Sequence, residues 1–210
     1  MPWIADYVQE IREIGVENHT IDGIKRDNWD VLDYPEKDAV QSAIFTNDEI
    51  SLSRSNVKAE TAIKTKIMKV LMWGFPRPSG HPPRPTFENI VQHLTDLETL
   101  FNEKQNQSLN AAQIRDTFSR LGMVNGLGPG GIAINSKLLY FFNLSFEGRK
   151  CLILDSQVVK RLNLFDDFAG NKWKANQACY SNYLNQMDAL AREYNVSPEQ
   201  LELFLFNYQA

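Results

Sequence analysis

The fold is decided by residues 124–159, which read VNGLGPGGIAINSKLLYFFNLSFEGRKCLILDSQVV. A glycine-rich turn at 126–131 separates two segments whose apolar residues recur at helical spacing. Further along, an apolar run from Leu152 to Leu154 stops at the carboxylate of Asp155. The pattern predicts a helix, a hairpin, a second helix and a loop, with Asp155 opening the helix that follows.

The glycine-rich turn predicts a site for an anion. Glycine backbone can adopt positive φ and approach a ligand closely. The second helix is expected to begin near Gly131, so its first N–H groups point into the turn and favour a phosphate. An ordinary turn is the structural alternative. A P-loop is a second alternative, but it needs Gly-Lys-Ser/Thr at its end, which this turn lacks. The glycines predicted to hold one phosphate are Gly126, Gly128, Gly130 and Gly131.

Helical spacing recurs along the rest of the chain, and no stretch shows the clear alternation of a strand. The sequence therefore predicts an all-α fold, a two-lobed helical bundle forming one globular unit, with approximate lobes at 1–107 and 108–210. Ser55 is expected to cap one of the helices, and Ser197 and Gln200 to form a capping box at the last one. The predicted helices are 4–14, 37–45, 56–73, 87–101, 110–121, one from about 131, 156–162, 173–194 and 198–206.

Composition excludes several classes of protein. The chain is 43% hydrophobic and 23% charged, as in ordinary soluble proteins. No apolar run approaches the roughly 18 residues of a membrane span, and the N-terminus lacks the pattern of a signal peptide. We therefore expect a cytoplasmic protein with no membrane partner. Cys151 and Cys179 are too few for a disulfide scaffold, a zinc site or a four-cysteine iron–sulfur cluster, so both are expected to be buried thiols.

The charges are unevenly distributed. Residues 1–50 contain twelve acids and four bases, whereas residues 51–84 contain seven bases and one acid. The basic stretch is either a solvated helix face or a surface that contacts phosphates. It runs into a proline-rich loop at 75–85 that carries Arg77 and Arg84 and is either a rigid connection or a wall of a substrate cleft. The three histidines, His19, His81 and His93, have no metal-ligand spacing, so no metal site is expected from side chains.

The turn and the downstream acid resemble those of the helix-hairpin-helix DNA glycosylases, in which a Gly-x-Gly hairpin precedes the catalytic aspartate. Gly126-Leu127-Gly128 matches the hairpin and Asp155 matches the acid. More narrowly, from about residue 55 to the C-terminus the chain resembles small bacterial proteins described as having an 8-oxoguanine glycosylase fold. Four stretches carry that resemblance: MWGFP at 72–76, SKLLYFF at 136–142, LILDS at 152–156 and LFLF at 203–206.

The resemblance implies an enzyme that flips a modified base out of DNA and hydrolyses its N-glycosidic bond to leave an abasic site. DNA is the implied partner. No obligate protein partner and no cofactor are implied beyond a monovalent cation at the hairpin backbone, and a monomer is expected. Some similar bacterial proteins act on glucosylated hydroxymethylcytosine in phage DNA, so base-excision repair and antiviral defence both stay open. The sequence does not identify the base.

Asp155 is the residue expected to carry the chemistry. An N-glycosidic bond breaks through a positively charged, oxocarbenium-like sugar, which a nearby carboxylate stabilises while it orients the attacking water. The dipole of a helix N-terminus keeps such an aspartate ionised. The structural alternative is that Asp155 only caps the helix, accepting from the N–H groups of Gln157 or Val158. Ser156, beside the acid, is expected among the DNA contacts.

Lys137 is a second candidate, because bifunctional glycosylases use a lysine as nucleophile. In the family that lysine stands two residues after the second hairpin glycine, and this position is Gly130 here. The sequence therefore predicts a monofunctional enzyme in which water attacks the sugar. Lys137 is expected to contact a DNA phosphate or to lie at a helix edge, with the lyase role kept as an alternative.

Trp73 and Phe75 are predicted to stack on the extruded base, because base–aromatic stacking returns roughly 1–3 kcal/mol of the cost of base flipping. The alternative is that Trp73 belongs to the core, as expected for Tyr140, Phe141 and Phe142. Two other functions are weighed against the glycosylase. One is a non-catalytic DNA-binding module that uses the hairpin alone, and the other is a helical domain that binds a protein partner.

Overall fold

The computed structural model describes residues 2–75, 83–125 and 131–209. The first part of the chain combines short helices with two strands. Its elements are a 3₁₀ helix at Ile4–Tyr7, α1 at Val8–Glu13, a 3₁₀ helix at Val16–Asn18, β1 at Thr20–Lys25, α2 at Arg26–Trp29, α3 at Lys37–Ile44 and β2 at Glu49–Ser53.

Longer helices make up the remainder of the described chain. The central part contains α4 at Arg54–Ala59, α5 at Ile63–Gly74, α6 at Arg84–Gln92, α7 at Leu94–Lys104 and β3 at Ser108–Leu109. The last part contains α8 at Ala111–Asn125, α9 at Ile132–Phe141, β4 at Ser145–Phe146, β5 at Arg149–Lys150, α10 at Ser156–Leu162, a 3₁₀ helix at Asp166–Phe168, α11 at Gln177–Tyr194 and α12 at Pro198–Asn207.

The fold is mostly helical, which confirms the predicted class, and the described residues also form two small sheets. β1 and β2 pair antiparallel, with Thr20 opposite Ser53 and Lys25 opposite Glu49. β3 pairs in parallel with β4, and β4 pairs antiparallel with β5. The sequence did not reveal β1 because Ile24 is its only buried residue, so the strand has no alternation of apolar and polar positions. Gly23 adopts a positive φ of 73° where the β1–β2 register shifts.

The helix predicted at 56–73 is two helices, and its cap is Ser53 rather than Ser55. The Ser53 hydroxyl accepts from the Asn56 N–H at 3.0 Å, and the Asn56 side chain accepts in return from the Ser53 N–H at 3.2 Å. Glu60 then breaks the helix, because its carboxylate accepts from the N–H groups of Thr61 and Ala62. Side-chain acceptors that replace helical carbonyls compete with helix continuation.

Three other helix boundaries also differ from the predicted ones. His93 divides the helix predicted at 87–101 into α6 and α7. The helix predicted at 110–121 continues past Gly122 to Asn125. The helix predicted from residue 173 begins at Gln177, where the Asn176 side chain accepts from the Cys179 N–H at 3.1 Å. The predicted capping box of Ser197 and Gln200 at the start of α12 is confirmed.

One hydrophobic cluster extends from Ile4 to Leu205, so elements from the start and the end of the chain share a core. Tyr140, Phe141 and Phe142 are buried in it, as predicted, and the Phe142 ring stacks on Phe101 at 4.0 Å. Both cysteines are free thiols. Cys151 is buried as predicted, while Cys179 is partly exposed. None of the described helices is long and apolar enough to cross a membrane.

Candidate active site

Asp155 combines a capping role with an ion pair. Its backbone is extended just before α10, and Oδ1 accepts from the N–H groups of Gln157 at 3.0 Å and Val158 at 3.1 Å. The cap expected as the structural alternative is therefore present. It uses only Oδ1, however, because Oδ2 lies 3.1 Å from the Lys137 ammonium group. The residue is only 9% exposed, so one carboxylate oxygen is fixed by the helix and the other is held at a buried cation.

Lys137 is buried within the protein. It belongs to the second turn of α9, is 6% exposed, and donates both to Asp155 and to the Ala133 carbonyl at 3.3 Å. Its contact with a DNA phosphate stays a prediction, and it requires the lysine to leave these partners. The structure places the two candidate catalytic side chains in direct contact, although they are eighteen positions apart in the sequence.

Gly74, the last residue of α5, makes room for the lysine. A Cβ at this position would lie 2.8 Å from Lys137 Cδ and 3.2 Å from Cε. The first distance is shorter than real Cβ contacts, so any other residue would displace the lysine side chain. Glycine is common where helices end, and Gly74 is the last residue of α5. The close approach of α5 to Lys137 is a further reason for glycine at this position, which the sequence does not reveal.

A second buried ion pair lies near the first one. Arg54 and Glu202 are fully buried and joined by two hydrogen bonds, of 2.9 Å and 3.2 Å, and Arg54 also donates to the Tyr140 hydroxyl. Burial raises the pKa of Glu202, and Asp155 raises it further, whereas Arg54 and Lys137 oppose the shift. Two cations and two carboxylates thus act on each other in the interior. Sequence reasoning missed Arg54 and Glu202, which are 148 positions apart.

Trp73 is buried, with 3% of its surface exposed. Its ring lies 5.2 Å from the Arg54 guanidinium carbon and makes edge contacts with His19 and Phe141, each at 5.2 Å. Trp73 therefore lies in the core, which is the alternative that the sequence left open. Stacking of Trp73 on an extruded base stays a prediction, and it requires exposure of the ring. Phe75, predicted for the same role, is only partly buried.

The comparison with protein families identifies the family of the chain. A family model described as "Putative 8-oxoguanine DNA glycosylase OGG-like protein" matches residues 15–206. The chain belongs to this family. No curated protein and no solved structure matches it. The match begins well before residue 55, so the OGG-like family includes much of the acidic N-terminal region, β1 and β2.

Most of the predicted hairpin of this OGG-like protein lies outside the described residues. Gly126, Gly128 and Gly130 belong to the segment 126–130, as does the backbone expected to hold a cation, and Arg77 lies in the undescribed segment 76–82. Gly131 is described, and it is the residue before α9, as predicted. Ser156 is exposed at the start of α10, as a DNA contact requires. The described residues contain no group of three or more His, Cys, Asp or Glu side chains that could hold a metal ion.

The basic stretch at 51–84 is largely neutralised within the protein. Lys66 donates to the Lys58 carbonyl at 2.9 Å, and the other bases described in this stretch pair with carboxylates. DNA phosphates would therefore have to compete with internal partners. The ion pairs that these bases form are Arg54–Glu202, Lys58–Glu17, Lys58–Glu199, Lys64–Glu36, Lys64–Glu98, Lys69–Glu60 and Arg84–Glu88. Arg84 keeps 70% of its side chain exposed, and its DNA contact stays a prediction.

Proposed function

We propose that the chain is a DNA glycosylase that extrudes a modified base and breaks its N-glycosidic bond with the help of Asp155. The observation that carries this proposal is the buried contact between Lys137 and Asp155, 3.1 Å long, between α9 and the start of α10. Membership of the OGG-like family supports it. A cap alone would need neither the buried lysine nor the glycine that makes room for it.

The proposed chemistry follows from how the carboxylate is held. The N–H groups of Gln157 and Val158 fix Oδ1, so the carboxylate cannot rotate freely. As the base leaves, positive charge develops on the sugar, and a preorganised carboxylate in a site of low polarity stabilises it strongly. In the monofunctional mechanism that the sequence predicts, Asp155 also orients the water that attacks C1′ of the sugar.

A second candidate, favoured by the position of Lys137, is a glycosylase with lyase activity. The ammonium group would give up one proton, which neutralises the departing base. Its nitrogen would then form a bond to C1′ while the bond between C1′ and the base breaks. The C1′–O4′ bond would break next, with one proton of the nitrogen passing to O4′, which opens the sugar ring and leaves an imine between C1′ and the lysine. The lysine would need to lose its charge for this attack, and Asp155 is within hydrogen-bond distance to accept the proton in passing. Borohydride trapping separates the two mechanisms, because only an imine between protein and DNA is reduced to a stable crosslink.

The experiment that tests the proposed function uses a panel of duplexes carrying oxidised, alkylated, deaminated and hypermodified bases, followed by an assay for abasic sites. Release of 8-oxoguanine would favour repair, and release of glucosylated hydroxymethylcytosine would favour defence against phage. Binding to DNA without release of any base would favour the alternative of a non-catalytic DNA-binding module.

A further inference from the structure

The segment that leads to Asp155 is buried but belongs to no helix or strand. Leu152, Ile153 and Leu154 are each at most 1% exposed, and they form no element of regular structure. Buried backbone groups outside helices and sheets must find hydrogen-bond partners elsewhere. The side chains that supply those partners therefore determine where the segment runs and where the acid at its end lies.

Each of the three residues is held by a different side chain. The Tyr180 hydroxyl donates to the Leu152 carbonyl, and the Tyr183 hydroxyl donates to the Ile153 carbonyl, both at 2.9 Å. The Leu154 N–H donates to the Ser136 hydroxyl oxygen at 3.0 Å. Both tyrosines are on α11, and Ser136 is on α9, where it is fully buried.

Ser136 directly precedes Lys137, and Leu154 directly precedes Asp155. Two consecutive side chains of α9 thus bind two consecutive residues just before α10. The serine fixes the backbone, and the lysine then meets the carboxylate at 3.1 Å. Loss of the serine contact would leave the Leu154 N–H without a partner and free the backbone beside the acid. Misplacement of a catalytic group by about 1 Å can lower a rate about a hundredfold.

We propose that Ser136 and Tyr183 are positioning residues for Asp155, an inference that rests on the proposed glycosylase function. Tyr180 supplies a control. It is as deeply buried as Tyr183 and makes the same kind of bond of the same length, but to a residue one position further from the acid, and its hydroxyl also contacts the Cys151 thiol. A purely structural role predicts that Tyr180→Phe lowers activity at least as much as Tyr183→Phe, whereas positioning predicts effects that increase toward Asp155.

The test measures single-turnover base release by the full chain and its Tyr180→Phe, Tyr183→Phe and Ser136→Ala variants. The substrate is a duplex from which the wild-type protein releases the base. We expect the rate to fall least for Tyr180→Phe, more for Tyr183→Phe, and about tenfold or more for Ser136→Ala. Affinity for the duplex should not change. The urea midpoint of Tyr180→Phe should be no higher than that of Tyr183→Phe, because Tyr180→Phe also removes the contact with Cys151. Equal rates for all three variants, or rates that follow the urea midpoints, would overturn the inference.

A second measurement separates this inference from the proposed function. The distance between Lys137 Nζ and Asp155 Oδ2, which is 3.1 Å here, is measured in crystal structures of the wild-type protein and of the same three variants. Ser136→Ala is expected to change that distance clearly, Tyr183→Phe less, and Tyr180→Phe least. If the wild-type protein releases no base but these displacements occur, the glycosylase proposal fails while the positioning of Asp155 holds. An unchanged distance in Ser136→Ala contradicts the positioning role even if the enzyme is active.

Discussion

Lys137 Nζ and Asp155 Oδ2 lie 3.1 Å apart in the interior, in an ion pair that joins α9 to the first turn of α10. The other carboxylate oxygen of Asp155 caps α10. The two oxygens thus have different partners, and substitutions can test them separately.

The capping role predicts a difference in stability between two variants of Asp155. Asp155→Asn and Asp155→Ala both break the ion pair with Lys137, but asparagine still offers an oxygen to the N–H groups of Gln157 and Val158. We expect Asp155→Ala to be less stable than Asp155→Asn by about 1 kcal/mol, the usual value of an N-cap. Urea unfolding at pH 7 measures the difference. Equal midpoints would show that the bonds to Oδ1 contribute nothing to stability.

Gly74→Ala should slow base release and also lower stability. The new Cβ would lie 2.8 Å from Lys137 Cδ, so the lysine must move away from Asp155. Separating a buried ion pair costs stability, which the higher helix propensity of alanine offsets only in part, so the free energy of unfolding should fall. We expect base release to slow about tenfold or more.

The control for Gly74→Ala is Gly15→Ala. There the added Cβ would meet only the Asn18 side chain, at 3.3 Å, and the rate should be unchanged. Wild-type rates in both alanine variants would show that the room left by Gly74 does not matter for Lys137.

The pH dependence of stability should contain a contribution from His19. Burial, with Arg54 as the second cause, lowers the pKa of His19 from 6.5 to about 4. The unfolded chain therefore binds a proton at a higher pH than the folded protein does. The free energy of unfolding should fall as the pH falls from about 6.5 towards 4. His19→Gln should show a smaller fall between pH 7 and pH 5 in urea unfolding. An identical pH profile for both proteins would show that His19 is not held neutral.

DNA binding should depend on exposed bases and not on the paired ones. Lys160 is exposed on α10, four positions after Ser156 and hence on the same helix face, and it forms no ion pair with the residues the structure describes. Lys160→Gln should lower the slope of log K against log salt by about 1.

Lys64→Gln is the matched control for Lys160→Gln, because Lys64 already pairs with Glu36 and Glu98. Its slope should equal that of the wild-type protein. A larger change for Lys64→Gln than for Lys160→Gln would show that the internal pairs open when DNA binds.

Local signals predicted the helices and the acid at the start of α10, because capping and periodicity depend on neighbouring residues. The Ser197 box and the helix after Gly131 are examples. Sequence reasoning identified Lys137 and Asp155 separately, but it could not show that they touch, since that contact depends on how α9 packs against the loop that ends at Asp155. The charge pattern also grouped the bases after residue 50 as one stretch. In the structure, most of their partners are acids far away in the sequence, such as Glu36 and Glu202.

The central claim is that Asp155 acts on the nucleotide, and single-turnover base release by wild-type and Asp155→Asn proteins tests it most directly. The assay uses a duplex from which the wild-type protein releases the base, and the affinity for that duplex is measured in parallel. We predict that Asp155→Asn binds the duplex as tightly as wild type and releases base at least about a hundredfold more slowly, as expected when a charge that stabilises a transition state is lost. Base release by Asp155→Asn at the wild-type rate would contradict the account and leave Asp155 with a capping role only.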